Sequence, residues 1–444
     1  MTEFVERPRF SCALGGALET IGSLPGAVAV IHAASGCGGN LFSGTQAGGY
    51  YGSGYCGGLA TPSSNVTERE IIFGGEDRLV EQLETTLEVI DAQLIVVVTG
   101  CMTEIVGDDP HSAISRVASE IPILCVNTAG FSGNSYKGYD FVLTALFREY
   151  VEKTEMKNSK TVNIFGIVPA HDPFFRGDLA EMKRLLGKLG LKANTFFGFG
   201  ETLDQLKKAG EAMLNIVFSD VHGIDAAKVF AEEHHTPYIT TPLPVGAAAT
   251  EEFLLAIAAR LGISEKKARQ VVNEEKGQFY WYVERAADGY LDGELQNYAI
   301  VVADANYAYP FTRFLADDIG WIPQLTVITD DLSSEQKELT AAPFAKDFEF
   351  TPAPRLAFET DTSQIQRNYS DGAALYTDDR YLAVPTPLFV LGSSQDAEWA
   401  ARLNAKILSV SYPVIDRMVM SRHYAGFTGG LNLFEDILAT MLRG

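Results

Sequence analysis

Five cysteines, Cys12, Cys37, Cys56, Cys101 and Cys125, lie in the first 125 of 444 residues, and none follows. Thiolates hold soft metals and iron–sulfur clusters, and disulfides are rare in reducing compartments. Clustering of this kind therefore points to metal binding or redox chemistry before a covalent framework. Two of the five sit in glycine turns, Ser35-Gly-Cys-Gly-Gly39 and Thr99-Gly-Cys101. Gly36 and Gly100 let the backbone approach a bound group closely, and N–H donors to sulfur tune thiolate-bound iron. Cys125 stands inside an apolar run at 121–126 and reads as a small buried hydrophobe. Cys56, in Gly-Tyr-Cys-Gly-Gly, reads first as a loop or packing residue, with ligation as the alternative. The glycine- and tyrosine-rich stretch 36–58 fits a flexible loop and a close-fitting surface equally well.

Other side chains offer less. His32 ends an apolar run just before the Cys37 turn, as a satisfied core histidine or a hydrogen-bond partner behind the thiols. Glu104, Asp108 and Asp109 could act as an acid–base pair. With Asp108 and Asp109 standing between Ile105 and Pro110, the group fits better as a helix cap that fixes the Cys101 turn. His234-His235 beside Glu232-Glu233 reads as a solvated helix end, because adjacent helical residues do not share a face. No GxxxxGK[ST] phosphate loop occurs, so ATP hydrolysis belongs to another protein.

Short apolar runs recur at 27–32, 94–99, 121–126, 162–168, 214–219, 299–303, 325–329 and 388–391. Amphipathic helical patterns such as 77–90 and 177–189 lie between them. Apolar runs of this length, bounded by turn residues and alternating with helices, predict parallel strands covered on both faces. The expected fold is α/β, with three Rossmann-like doubly wound domains over 1–160, 161–296 and 297–444, the last ending in a helix over 426–442. Such sheets put chemistry beyond the carboxyl ends of their strands. Cys37 and Cys101 stand there, after the runs ending at His32 and Thr99.

Net charge is −22, from 57 acidic and 35 basic residues, which disfavours nucleic acid and anionic lipid and suits a basic partner protein. The hydrophobic fraction of 46% is ordinary for a soluble chain. No apolar run approaches the ~20 residues of a membrane span, and residues 1–10 do not form a signal peptide. A cytoplasmic location is expected.

The segment from Cys12 to Cys37, CALGGALETIGSLPGAVAVIHAASGC, resembles the N-terminal cluster region of nitrogenase component 1 proteins. EREIIFGG at 68–75 resembles the family's acidic-apolar-Phe-Gly-Gly motif. Cys101-Met-Thr-Glu-Ile-Val-Gly-Asp-Asp109 resembles its third cysteine with Gly-Asp-Asp. The likeness continues through NTAGFSGNSYKGY at 127–139, PLPVGAAATEEFL at 242–254 and the stretch 412–442, the last closest to β-type subunits.

The resemblance implies that Cys12, Cys37 and Cys101 hold an iron–sulfur cluster, P-cluster-like [8Fe-7S] or [4Fe-4S], shared with a homologous α-type subunit in an α2β2 heterotetramer. It implies an ATP-hydrolysing iron protein as electron donor, anaerobic chemistry, and an oxidoreductase whose substrate site lies mainly in the partner. Dinitrogen, a methylthio-alkane and a tetrapyrrole are the substrates considered. Departures qualify the match. No cysteine follows Cys125, and Ala425 stands where α-type subunits carry the cofactor histidine, with His423 two residues earlier. Gly130 stands where β-type nitrogenase subunits carry a serine near the cluster. The chain is expected to be β-type in role and not to hold a molybdenum–iron-type cofactor. Two other functions fit less well: a scaffold for metallocofactor assembly, and a Rossmann-like ligand-binding module with incidental cysteines.

Overall fold

The structure, a computed structural model, describes residues 5–39, 48–49, 61–374 and 387–442. Its first sheet is parallel, in the order β1 (Ala27–His32), β2 (Leu94–Thr99), β3 (Ile123–Val126). Every residue of β2 is buried, because the sheet is covered on both faces. Val96 and Val98 face the main core, while Ile95 and Val97 pack with Leu79, Leu83, Ala113 and Cys125 on the other side. The two-residue period of a strand divides one apolar run between two cores.

Residues 62–66 run beside β1 on the edge away from β2. Ile31 N–H donates to Pro62 O (2.8 Å), Ser64 N–H to Ile31 O (2.9 Å) and Val66 N–H to Ala33 O (3.0 Å). The winding therefore reverses between β1 and β2. A crevice opens at such a reversal, at the carboxyl ends of the two strands.

The second sheet comprises β4 (Asn158–Phe165), β5 (Lys192–Asn194), β6 (Ala212–Val217) and β7 (Tyr238–Thr240), in the order β5-β4-β6-β7. The third comprises β8 (Tyr298–Ala303), β9 (Ile322–Ile328), β10 (Arg355–Phe358), β11 (Leu388–Gly392) and β12 (Lys406–Ser409), in the order β10-β9-β8-β11-β12. All pairings in these sheets are parallel. One apolar cluster, running from Leu14 to Ile437, joins the three units.

Two helices carry the first unit's site, Ala13–Gly22 and Ser135–Ala145. They cross with almost no space between backbones. A Cβ at Gly16 would lie 2.6 Å from the Ser135 Cα, and one at Gly138 would lie 2.8 Å from the Ala17 nitrogen. Where the second and third units meet, the buried Tyr307 hydroxyl lies 2.7 Å from Asp172 and also bonds Asp178. One hydroxyl proton cannot serve both carboxylates. Burial first, and then the neighbouring Asp178 charge, holds Asp172 protonated well above the usual carboxylate range.

Asp304 caps the helix Ala305–Arg313 through the Asn306 and Tyr307 N–H groups. Burial, reinforced by Asp330, pushes its carboxyl from 3.8 to about 7. The stability carried by neutral Asp304 is complete below 3.8, its unfolded value, and is lost as pH rises through about 7. Asparagine keeps the cap. Asp304→Asn should thus gain stability relative to wild type between pH 5 and pH 8, read as urea midpoints. A difference independent of pH would refute this assignment.

Candidate functional site

The three sequence-marked thiols belong to three separate elements at the reversal of the first sheet. Cys12 is the N-cap of the helix Ala13–Gly22, Cys37 lies in the 3-10 turn Ser35–Gly38 after β1, and Cys101 opens the helix Cys101–Val106 after β2. Cys101 is exposed and the other two are half-buried. Burial raises the pKa of the Cys37 thiol, and the nearby Cys12 and Cys101 thiols raise it further. Cys125 points into the opposite core, where burial pushes its thiol up to about 12. A thiol that holds its proton so firmly is a poor ligand. Cys56 lies outside the described residues, as does most of the stretch 36–58.

The glycines differ in what they do. Gly130 N–H donates to Cys101 Sγ at 3.0 Å. A Cβ on Gly130 would sit 3.2 Å from Cys12 Cβ and 3.3 Å from Cys101 Sγ, so a bare backbone is what fits between these two cysteines. Gly100 lets the β1 and β2 turns touch, since a Cβ there would lie 2.5 Å from Ala33 Cβ. Among the described residues, no atom lies within 4 Å of the Cβ direction at Gly36. Among the described residues, no three His, Cys, Asp or Glu side chains converge as a single metal ion requires. Thiolates around one ion lie within about 4 Å of each other. The Gly130 N–H at the Cys101 sulfur is a contact of the kind that tunes a thiolate-bound metal.

Behind the thiols, the carboxylates are structural. Glu104 accepts from the Ala129 N–H (3.1 Å) and from the Thr99 hydroxyl, tying the Cys101 turn to the Gly130 turn. Asp108 accepts from Gly75 N–H (2.8 Å) and contacts His32 Nε2 (3.1 Å), whose Nδ1 meets Ser64 (3.0 Å). Burial lowers the pKa of His32, which is a satisfied core histidine. Asp109 caps the helix Pro110–Ser115. His234 departs from expectation. It is buried, with Nε2 2.6 Å from Phe147 O, and only His235 is exposed. The helix ends at that point on its apolar face, which faces the Phe147 and Phe230 rings.

Sequence reasoning missed a surface feature. Ile72, Phe73, Met102, Ile105 and Phe131 are all exposed, on three elements next to the thiols. Ile72 and Phe73 are neighbours in sequence, whereas Met102, Ile105 and Phe131 come from two other segments. Later in the chain, Ala425 is fully buried. Its N–H and that of Tyr424 both donate to Asp178 (2.7 and 2.8 Å). His423 contacts the Thr428 hydroxyl at 3.0 Å.

A family model described as nitrogenase component 1 type oxidoreductase matches residues 12–442. The chain is 25% identical over 411 residues to the nitrogenase molybdenum-iron protein beta chain of Sinorhizobium fredii, covering 85% of this chain and 74% of that one. It is 24% identical to one polypeptide of the light-independent protochlorophyllide reductase of a Methylobacterium species, covering 79% of this chain and 65% of the relative. The solved structure of nitrogenase Cp1 at pH 6.5 superposes with a TM-score of 0.76 at 18% identity, over 99% of this chain and 95% of that one, a likeness of fold.

Proposed function

The chain belongs to the nitrogenase component 1 type oxidoreductases, with β-type relatives, and on that footing we propose that it is the electron-relay subunit of a two-component reductase. Cys12, Cys37 and Cys101 would hold an iron–sulfur cluster, whose chemistry when bound is one-electron transfer. The observation carrying this reading is Gly130, seated between Cys12 and Cys101 with its N–H donated to the Cys101 sulfur, at the sheet reversal where the Cys37 turn also lies. Three thiolates fall short of the usual four of a cubane. A homologous α-type partner, giving an α2β2 assembly, would supply the remainder. Cluster type, [4Fe-4S] or a larger fused form, follows from how many ligands that partner adds.

The exposed apolar residues beside the thiols support a protein-covered site. Scattered apolar side chains are normal on a surface, but a gathered set marks an interaction face. Both the α-type partner and an ATP-hydrolysing iron protein would find apolar area there. No helix among the described residues is long and apolar enough to cross a membrane, and the proposed location is the cytoplasm. The domain boundaries proposed remain 1–160, 161–296 and 297–444. The closed packing at Ala425 supports a relay over a scaffold that would carry a maturing cofactor in this chain. Reduction of dinitrogen or of a methylthio-alkane would then take place mainly in the partner.

Iron content of the anaerobically co-purified complex tests the reading, wild type against Cys37→Ala. The variant should lose a whole cluster, about four iron atoms or more, while the subunits stay together. Wild type without iron, or a variant that keeps all of it, would overturn the proposal.

A further inference from the structure

Residues 6–12, ahead of the helix Ala13–Gly22, form a strap between the first and third units. At its far end, Arg7 N–H donates to Asp361 (3.3 Å), while Arg7 O accepts from the Thr362 hydroxyl (2.7 Å) and N–H (3.3 Å). At its near end, Ser11 and Ser135 exchange hydrogen bonds of 2.8 and 3.1 Å, and Ala13 N–H donates to Gly133 O (3.0 Å). Cys12 bridges Asn134. Between the two ends, Arg9 enters the third unit. Its guanidinium is 2% exposed and meets Asp396, 1% exposed, at 2.5 Å. The same carboxylate also accepts from Trp399 Nε1 (2.9 Å) and Ser393 N–H (2.7 Å), so its position is set before the arginine arrives.

A buried ion pair gives little net stability, since desolvating two charges offsets their attraction, and its best-attested use is to fix a register. The planar guanidinium spans two acceptors of the third unit, the Asp396 carboxylate and Val302 O (3.5 Å), which fixes its orientation. Three residues of chain reach at most about 11 Å, so fixing Arg9 limits where the Cys12 sulfur can lie. We propose that the Arg9–Asp396 pair is a positioning lock for Cys12, through which the third unit sets one thiol of the first unit's site. The iron arm of the test below rests on the cluster reading, and the thiol arm does not.

The test uses the full chain, stripped of iron anaerobically and alkylated with iodoacetamide, with each cysteine timed by mass spectrometry. Arg9→Met with Asp396→Asn removes both charges together, and the asparagine oxygen keeps one of the two donors, Trp399 Nε1 or Ser393 N–H. Cys12 should then alkylate about tenfold faster, with Cys37 and Cys101 within about twofold of wild type, as expected for local release of a single segment. Arg9→Lys keeps the charge without the fork and should fall between. The double variant should also co-purify with less iron than wild type. Equal acceleration at all three cysteines, or no change at Cys12, would overturn the lock. If the double variant does not fold, the lysine variant decides by the same selectivity. Wild type without iron would sink the cluster reading and leave the alkylation result standing.

Discussion

An alanine at Gly138 should cost on the order of 3 kcal/mol or more of folding stability, while the same exchange at Gly187 should gain about 0.5–1 kcal/mol. Both glycines lie inside helices, where alanine is ordinarily the better residue. At Gly187 a Cβ meets nothing within 4 Å among the described residues, and only the propensity term acts. At Gly138 the Cβ would lie 2.8 Å from the Ala17 nitrogen and closer still to the Ala13 carbonyl oxygen. These are backbone atoms of a neighbouring helix, with no rotamer to yield, so the two helices must separate. The penalty reaches the site, because Cys12 caps one helix and Asn134, bridged to Cys12, caps the other. Urea unfolding of both variants decides the matter. Opposite signs are expected, and equal signs would mean that the crossing is looser than described.

The second large effect should come from a residue that is not a thiol. Gly130→Val should lower metal affinity by about 10–100-fold, the range seen when groups supporting metal ligands are changed. Its side chain would enter between Cys12 and Cys101, where even a Cβ is tightly placed at 3.2 and 3.3 Å. The turn Gly130–Ser132 is not buried, so the fold should tolerate the exchange. Cys125→Ala is the control and should keep its iron, since that sulfur faces the opposite core of the sheet. Iron per complex and the thermal midpoint, measured together, separate a lost site from a lost fold. Full iron in the valine variant would remove Gly130 from the site.

Most central strands were legible because burial on both faces leaves nearly unbroken apolar runs. β1 and β2 occupy the predicted 27–32 and 94–99, and the terminal helix occupies 426–442. The strands that escaped notice, β5, β7, β10 and β12, are all sheet edges of three or four residues. An edge has one paired side and partial exposure, so its sequence need not be apolar, as Lys192 and Arg355 illustrate. The 62–66 segment beside β1 was hidden for the same reason, and with it the reversal that places the thiol turns. Within the site, residue type and glycine flanks marked the cysteines. The Gly130 N–H aimed at Cys101, and the exposed apolar rim, depend on distances between segments that no local pattern records.

The partners Arg9 and Asp396 stand 387 residues apart. At synthesis rates of about 5–20 residues per second, roughly 20–80 s separate their exits from the ribosome. Of the three site thiols, Cys12 is made first and, under the lock proposed above, is fixed last. A cluster offered to the nascent chain would meet Cys37 and Cys101 without their third companion, so loading belongs to the finished polypeptide.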